Sequence, residues 1–316
     1  MKYYIGVDIG GTNIAAGILN ENYDILCKES VKTNAPRSAE SICDDIAAMC
    51  IRLCEKAGLS YDSVSGVGAA CPGIIKDGVV GYASNLKFEN VPLKKILEEK
   101  TGKKCAVCND ANAAALAEYV VGAGKGHRSL VAGTIGTGVG GGIVLDGHIW
   151  DGFNGAGAEI GHIVIVPGGR LCSCGNRGCF EAYCSATALI NDTKEAMINN
   201  PDSLLWKICG RTDNVDGKSA YVAAEQGDTA AKIVIDRFIK YFSIGIANIV
   251  TLLQPEVVCI GGGMSAQGET LIAPIDRLVS QSGVIKSLEK RPKIVAAGLL
   301  NDAGIVGAAA DIKGEM

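Results

Sequence analysis

Apolar and polar positions along the chain alternate between two periods, and the switches mark the elements. From residue 3 to 31 short apolar runs are separated by turn residues: Tyr3 to Asp8, Ile14 to Leu19 after Gly10-Gly11-Thr12, and Tyr23 to Val31 after Asn20-Glu21-Asn22. This pattern predicts three short strands in antiparallel ribbons. Helical spacing follows from Ser38 to Lys56, then a strand from Val64 to Ala70 ending at Cys71-Pro72-Gly73, a helix from Pro92 to Lys100 and a strand from Cys105 to Cys108. The opening pattern then returns as Leu130 to Ile135, a glycine-rich turn, Gly140 to Leu145, an Asp146-Gly147 hairpin signal and His148 to Trp150. Such a recurrence predicts an internal duplication, with two similar lobes facing a cleft. Further helices are expected at Ala111 to Val121, Phe180 to Asn199, Ala220 to Gln226, Thr229 to Leu253, Ala266 to Ser282 and Ala303 to Ile312, and a strand at Val257 to Ile260.

A length of 316 residues favours two domains. Residues 1–108 with the closing helix 301–316 are expected to form a smaller N-terminal lobe, and residues 109–300 a larger C-terminal one. A hydrophobic content of 48% with 20% charge describes a chain that folds around large cores. A net charge of -4 offers no basic face for nucleic acid. The stretch Met1 to Thr12 has no cleavage-site pattern, and the apolar segment Phe242 to Leu253 is shorter than a bilayer span, so a cytoplasmic protein without a membrane partner is expected. Of thirteen cysteines, Cys43, Cys50 and Cys54 recur with Ile46 and Leu53 at helical spacing, as small core residues of a reducing compartment do.

Candidate chemistry lies in four places. Asp8-Ile9-Gly10-Gly11-Thr12 turns between two strands, where glycine lets backbone N–H groups approach an anion and Asp8 is placed to hold magnesium through water; an ordinary Gly-Gly hairpin would read the same. Thr134-Ile135-Gly136-Thr137-Gly138 repeats the design, and Gly261-Gly262-Gly263 closes an apolar strand where an adenine or ribose can lie on backbone. Neither loop carries the Lys-Ser/Thr ending of a Walker A sequence. Asp110 follows a strand and opens a helix, so it is either a helix cap or a general base at a strand end. Finally, His162, Cys172, Cys174 and Cys179 offer four N/S ligands in a glycine-rich stretch, which suits a tetrahedral structural zinc; the other reading is reduced thiols on a loop. Glu159 and Glu181 flank this set and would be drawn to it, as carboxylates able to grip sugar hydroxyls. Asn85, in an otherwise apolar context, suggests a hydrogen-bonding task.

Taken in order, Asp8-Ile9-Gly10-Gly11-Thr12, Asn109-Asp110-Ala111-Asn112-Ala113, Glu159-Ile160-Gly161-His162, the segment from Leu171 to Glu181 and Asn301-Asp302-Ala303-Gly304 resemble the ROK family of bacterial sugar kinases and sugar-responsive repressors, its glucokinases above all. The resemblance spans nearly the whole chain. It implies an α/β, actin-like (ribonuclease H-like) fold and an ATP-dependent hexose kinase making glucose 6-phosphate, with Asp110 as base for the carbon-6 hydroxyl. It implies sugar contacts from Gly73, Asn85, Asn109, Asp110, Glu159, His162 and Glu181, with His162 serving both zinc and sugar. It also implies MgATP held by Asp8, Gly10, Gly11, Thr12, Asn13, Thr134, Gly136, Thr137, Gly138, Gly262 and Gly263, and a homodimer. The repressor branch adds an amino-terminal helix-turn-helix, whereas this chain begins at the first strand. Two departures bear on the sugar: Asn13 stands where many relatives have a basic residue, and Ser84-Asn85-Leu86-Lys87-Phe88 lacks the Pro and Trp often found there. Kinases for another hexose or an N-acetylated amino sugar, polyphosphate as donor and a non-catalytic sugar sensor stay open. A zinc hydrolase is disfavoured, because four protein ligands leave no position for water.

Overall fold

The computed structural model describes residues 2–316. They form two compact units: one runs to Ala132 and takes in Gly142–Ala158 and Gly298–Met316, the other comprises Gly133–Gly141 and Glu159–Ala297.

Eight strands precede residue 110: β1 (Tyr3–Ile9), β2 (Asn13–Leu19), β3 (Ile25–Lys32), β4 (Val64–Cys71), β5 (Ile74–Lys76), β6 (Val79–Ala83), β7 (Phe88–Val91) and β8 (Cys105–Asn109). Helices α1 (Ala39–Ala57), α2 (Leu93–Thr101) and α3 (Asp110–Val120) are interleaved with them, and α10 (Ala303–Gly314) closes the chain. The main sheet has the order β3-β2-β1-β4-β8, antiparallel across the first three strands and parallel from β1 to β4 to β8. Parallel registry sets Asp8 beside Ala70 and Cys71 beside Asn109, so the C-terminal ends of β1, β4 and β8 share one edge. Active-site residues of parallel sheets collect at such an edge.

One face of this sheet carries α1. The Ser38 side chain caps it by accepting from the Ser41 N–H, Gly58 ends it at a φ of 66°, and its apolar stripe (Ile42, Ile46, Met49, Leu53) is fully buried. Each such side chain contributes about 1.5–3 kcal/mol by leaving water. The cysteines at helical spacing, Cys43, Cys50 and Cys54, are buried in the same core as expected. Helix α10 packs on β1, β4 and α3. Its backbone comes so close that a Cβ on Gly68 would stand 1.8 Å from the Ala308 carbonyl oxygen, which is why small residues line both surfaces. The return of the chain to this unit is pinned by Glu118, 2% exposed, whose carboxylate accepts from the N–H groups of Gly298 and Leu299 at 2.8 Å and of Ala123 at 2.9 Å.

The remaining strands are β9 (Ser129–Ile135), β10 (Val139–Leu145), β11 (His148–Ile149), β12 (Val257–Gly261) and β13 (Lys293–Ala296). Their order, β11-β10-β9-β12-β13, repeats that of the first sheet, as the recurring pattern predicts. Helices α4 (Glu181–Cys184), α5 (Ala186–Asn199), α6 (Leu204–Cys209), α7 (Ser219–Glu225), α8 (Thr229–Leu253) and α9 (Glu269–Ser280) build the second unit. No helix among the described residues is long and apolar enough to cross a membrane.

Several expectations are corrected. The helix expected over Phe180 to Asn199 is two, because Ser185 adopts an extended backbone and caps α5. The segment Ala266 to Ser282 opens as a 3₁₀ turn, and α9 begins only after Gly268. The antiparallel sheet β5-β6-β7, the short helix α6 and strand β13 are not marked by periodicity, since each is too short to show one.

Candidate functional site

At the shared edge of β1, β4 and β8, Asn109 and Asp110 divide two tasks. Asn109 has an extended backbone and caps α3: its side-chain oxygen accepts from the N–H groups of Ala111 at 2.8 Å and Asn112 at 3.2 Å. Its amide nitrogen donates to the Gly73 carbonyl at 3.0 Å, tying the β4 end to the helix start. Asp110, the first helical residue, is therefore not the cap. It accepts from Ala111 N–H at 2.9 Å and is exposed. Loss of part of its hydration raises its carboxyl above the usual aspartate range, a shift that bonds from the Ala111 and Asp110 N–H groups and Asn109 only partly offset.

Asp8 ends β1 on the same edge. Burial first, and then the charge of Asp110, push its carboxyl up to about 6. It lies against the start of α10: a Cβ on Gly304 would come within 2.6 Å of the Asp8 carboxyl carbon. The Gly10-Gly11-Thr12 turn between β1 and β2 is closed by Gly10 N–H donating to the Asn13 carbonyl at 2.9 Å. Fully buried Thr33 braces it from behind, its hydroxyl donating to the Gly10 carbonyl at 2.6 Å. Asn85 sits over Gly11, its Cβ 3.1 Å from where a Gly11 side chain would begin. Two carboxylates of raised proton affinity on one edge, Asp8 raised in part by the charge of Asp110, form a place where a cation and an abstracted proton are both favoured.

In the second unit the ligand atoms of His162, Cys172, Cys174 and Cys179 all lie within 4.8 Å of one another. Cys174 and Cys179 have sulfurs 3.7 Å apart, and Cys172 Sγ is 3.6 Å from His162 Nδ1. Disulfide sulfurs stand at about 2.05 Å, whereas tetrahedral zinc with bonds of about 2.3 Å to sulfur and 2.0–2.1 Å to nitrogen separates its ligands by about 3.5–3.8 Å. The donor set therefore fits a metal. Nε2 of His162 is turned the other way, 4.0 Å from a carboxylate oxygen of exposed Glu159. Phe180 anchors the segment: fully buried, it meets Phe242 of α8 edge-on at 5.2 Å, over Gly245, where any side chain would strike its ring.

Glu181, next to that anchor, is held at both oxygens. Oε1 accepts from the Ser173 hydroxyl at 2.7 Å and Oε2 from the Val139 N–H at 3.0 Å. One carboxylate thus joins the hairpin that carries Cys172, Cys174 and Cys179 to the second glycine turn, Gly136-Thr137-Gly138. That turn is also sewn to α5, with Ala186 N–H donating to the Gly136 carbonyl and the Thr187 hydroxyl to the Thr137 carbonyl, both at 2.8 Å. Gly262, at a φ of 79°, lies so close to Ile135, which follows Thr134 in β9, that a Cβ would stand 2.4 Å from its carbonyl oxygen. Gly263 has open space around its Cα.

Ser173, Thr33, Thr187 and Gly304 belong to these arrangements and were not expected from the residues as site members. Gly304 and Ser173 left a signal, as parts of the segments Asn301 to Gly304 and Leu171 to Glu181; the hydroxyls of Thr33 and Thr187 act through distant partners and leave none.

The chain matches the ROK family over residues 4–315. A glucokinase of Thermotoga maritima is 39% identical over 312 residues, covering 98% of this chain and 96% of that protein. Among solved structures, a ROK family glucokinase from Streptomyces griseus in complex with glucose and AMPPNP superposes with a TM-score of 0.77 at 37% identity, over 97% of this chain and 98% of that one. The ROK hexokinase of Thermus thermophilus gives 0.83 at 32% identity, over 99% of both. The chain belongs to the ROK family, and its α/β architecture is the actin-like fold of the ROK sugar kinases.

Proposed function

We propose that the protein is an ATP-dependent glucokinase, transferring the γ-phosphoryl group of ATP to the carbon-6 hydroxyl of glucose. The observation that carries this is the division of labour at the start of α3: Asn109 supplies the cap, leaving Asp110 exposed with a raised proton affinity. Its relatives of nearly equal length point the same way, glucokinases and a hexokinase at 32–39% identity.

Gly73, Asn85, Asn109, Asp110, Glu159, His162 and Glu181 contact the sugar in this reading. Asp110 accepts the proton of the carbon-6 hydroxyl as that oxygen bonds to the γ-phosphorus and the bond to the ADP oxygen breaks. Asp8, Gly10, Gly11, Thr12, Asn13, Thr134, Gly136, Thr137, Gly138, Gly262 and Gly263 hold MgATP. Asp8 is the residue that would hold magnesium, through water, and the ion supplies charge neutralisation at the phosphates. Backbone N–H groups of the two turns would serve as fixed donors to the transferring group, which stabilise developing charge without reorganising. His162, Cys172, Cys174 and Cys179 would hold a structural zinc, with Nδ1 of His162 toward the thiols and Nε2 left for the sugar. A homodimer and a cytoplasmic location, in keeping with cysteines that form no disulfide among the described residues, complete the reading.

A coupled assay of ADP formation from ATP over glucose, mannose, fructose, N-acetylglucosamine and N-acetylmannosamine, with sugar phosphate measured directly where polyphosphate is the donor, tests it. Glucose with ATP is expected to give the highest kcat/KM. No sugar-dependent ADP would remove the kinase reading, and preference for another sugar would remove glucose.

A further inference from the structure

Two carbonyls of the first glycine turn are taken by one residue that lies outside the turn. Thr33, directly after β3 and fully buried, donates its hydroxyl to the Gly10 carbonyl at 2.6 Å and its N–H to the Thr12 carbonyl at 2.9 Å. The Gly10–Gly11 peptide is trans and planar, so its N–H lies opposite its carbonyl. A carbonyl held toward Thr33 therefore turns the Gly11 N–H away from Thr33. Glycine on both sides of this peptide gives it wide freedom, and a rotation of its plane would carry the N–H with it. The bond from Gly10 N–H to the Asn13 carbonyl belongs to the preceding peptide and does not hold this one.

The second unit treats its own turn in the same way. There the Thr137 carbonyl accepts from the Thr187 hydroxyl and the Gly136 carbonyl from the Ala186 N–H, both at 2.8 Å. In each turn a threonine from outside thus occupies a carbonyl. This suits a turn that receives an anion, because a carbonyl swung to the ligand side would repel it and the N–H groups alone attract it.

We propose that Thr33 is a positioning residue for the nucleotide phosphates: by holding the Gly10 and Thr12 carbonyls to its own side, it presents the Gly11 N–H to them. The inference rests on the kinase reading, in which this turn holds MgATP. Thr33 itself touches no substrate and acts through the Gly10–Gly11 peptide.

Calorimetric titration of the full chain with MgAMPPNP at saturating glucose, with glucose titrated separately and steady-state kinetics in ATP, tests this. Thr33→Val keeps the branched shape and removes the hydroxyl. It is expected to weaken AMPPNP binding and raise the KM for ATP roughly tenfold, with glucose affinity unchanged, and Thr33→Ser to restore both to within about threefold of wild type. Thr33→Ala, for which the same loss is expected, decides the matter if the valine variant does not fold. Wild-type nucleotide affinity in the valine or alanine variant, glucose and nucleotide affinity falling together, or a serine variant as weak as the valine one would each overturn the proposal and leave the kinase reading standing. Absence of nucleotide binding by the wild type would remove that reading and this proposal with it.

Discussion

The hydroxyl of Ser173, a residue between Cys172 and Cys174, donates to Oε1 of Glu181 at 2.7 Å. Through this bond the metal hairpin sets the carboxylate that also fastens the second glycine turn through Val139. Ser173 is thus a positioning residue. A neutral-to-charged hydrogen bond is worth about 1.5–3 kcal/mol, of which solvent at this exposed serine removes a part. Ser173→Ala is expected to raise the KM for glucose roughly threefold to tenfold, with kcat and bound zinc little changed, and Ser173→Thr to restore it. Lost zinc in the alanine variant would make the effect one of folding, and an unchanged KM would contradict the role.

Removing the metal should act on the same carboxylate by another route. The glycine-rich segment from His162 to Cys179 gains order from its ligand bonds, so a chelator is expected to increase amide hydrogen exchange there and weaken glucose binding by tenfold or more. Protected amides together with full sugar affinity in metal-free protein would contradict a zinc brace.

Asp8 gives a pH dependence whose sign follows from its surroundings. Its carboxyl titrates at about 6 in the folded protein, against about 3.9 in an unfolded chain. The folded state holds the proton more tightly, so this group's contribution falls as pH rises from the unfolded value through about 6. In metal-free protein Asp8→Asn is expected to raise Tm at pH 7 by roughly a few degrees, with the gain vanishing near pH 4, while kinase activity is lost. A lower Tm at pH 7 would contradict the assignment.

Glu118 tests how the carboxyl-terminal segment is fixed. Three N–H groups depend on it, and Glu118→Ala is expected to cost about 3 kcal/mol or more in denaturant unfolding, since each buried donor left unpaired costs about 1–3 kcal/mol. A loss below about 1 kcal/mol would mean that solvent replaces the carboxylate.

Long elements were legible in the chain because burial imposes a period. The stripe of α1, the strands β1 and β2 and the repeat of their pattern in β9 and β10 were all visible in this way, and so was the order of ligands from His162 to Cys179. Elements of a few residues, such as β5, β13 and α6, show less than one repeat. The cap at Asn109 was misassigned to its neighbour as one possibility, because Asn and Asp both suit that position and only backbone geometry separates them. Partners far apart in sequence, such as Thr33 with Gly10 and Glu118 with Gly298, are set by tertiary packing and leave no local pattern.

The central claim rests on Asp110, and its most direct test compares the wild type with Asp110→Asn in glucose-dependent ADP formation, with glucose binding measured by calorimetry on both. The amide keeps the shape and the bond from Ala111 N–H but cannot take the carbon-6 proton. A fall in kcat of at least a hundredfold is expected, in line with the roughly 10²–10⁴-fold contribution of a general base, with glucose affinity within a few-fold of wild type. Near-normal turnover by the asparagine variant would contradict it.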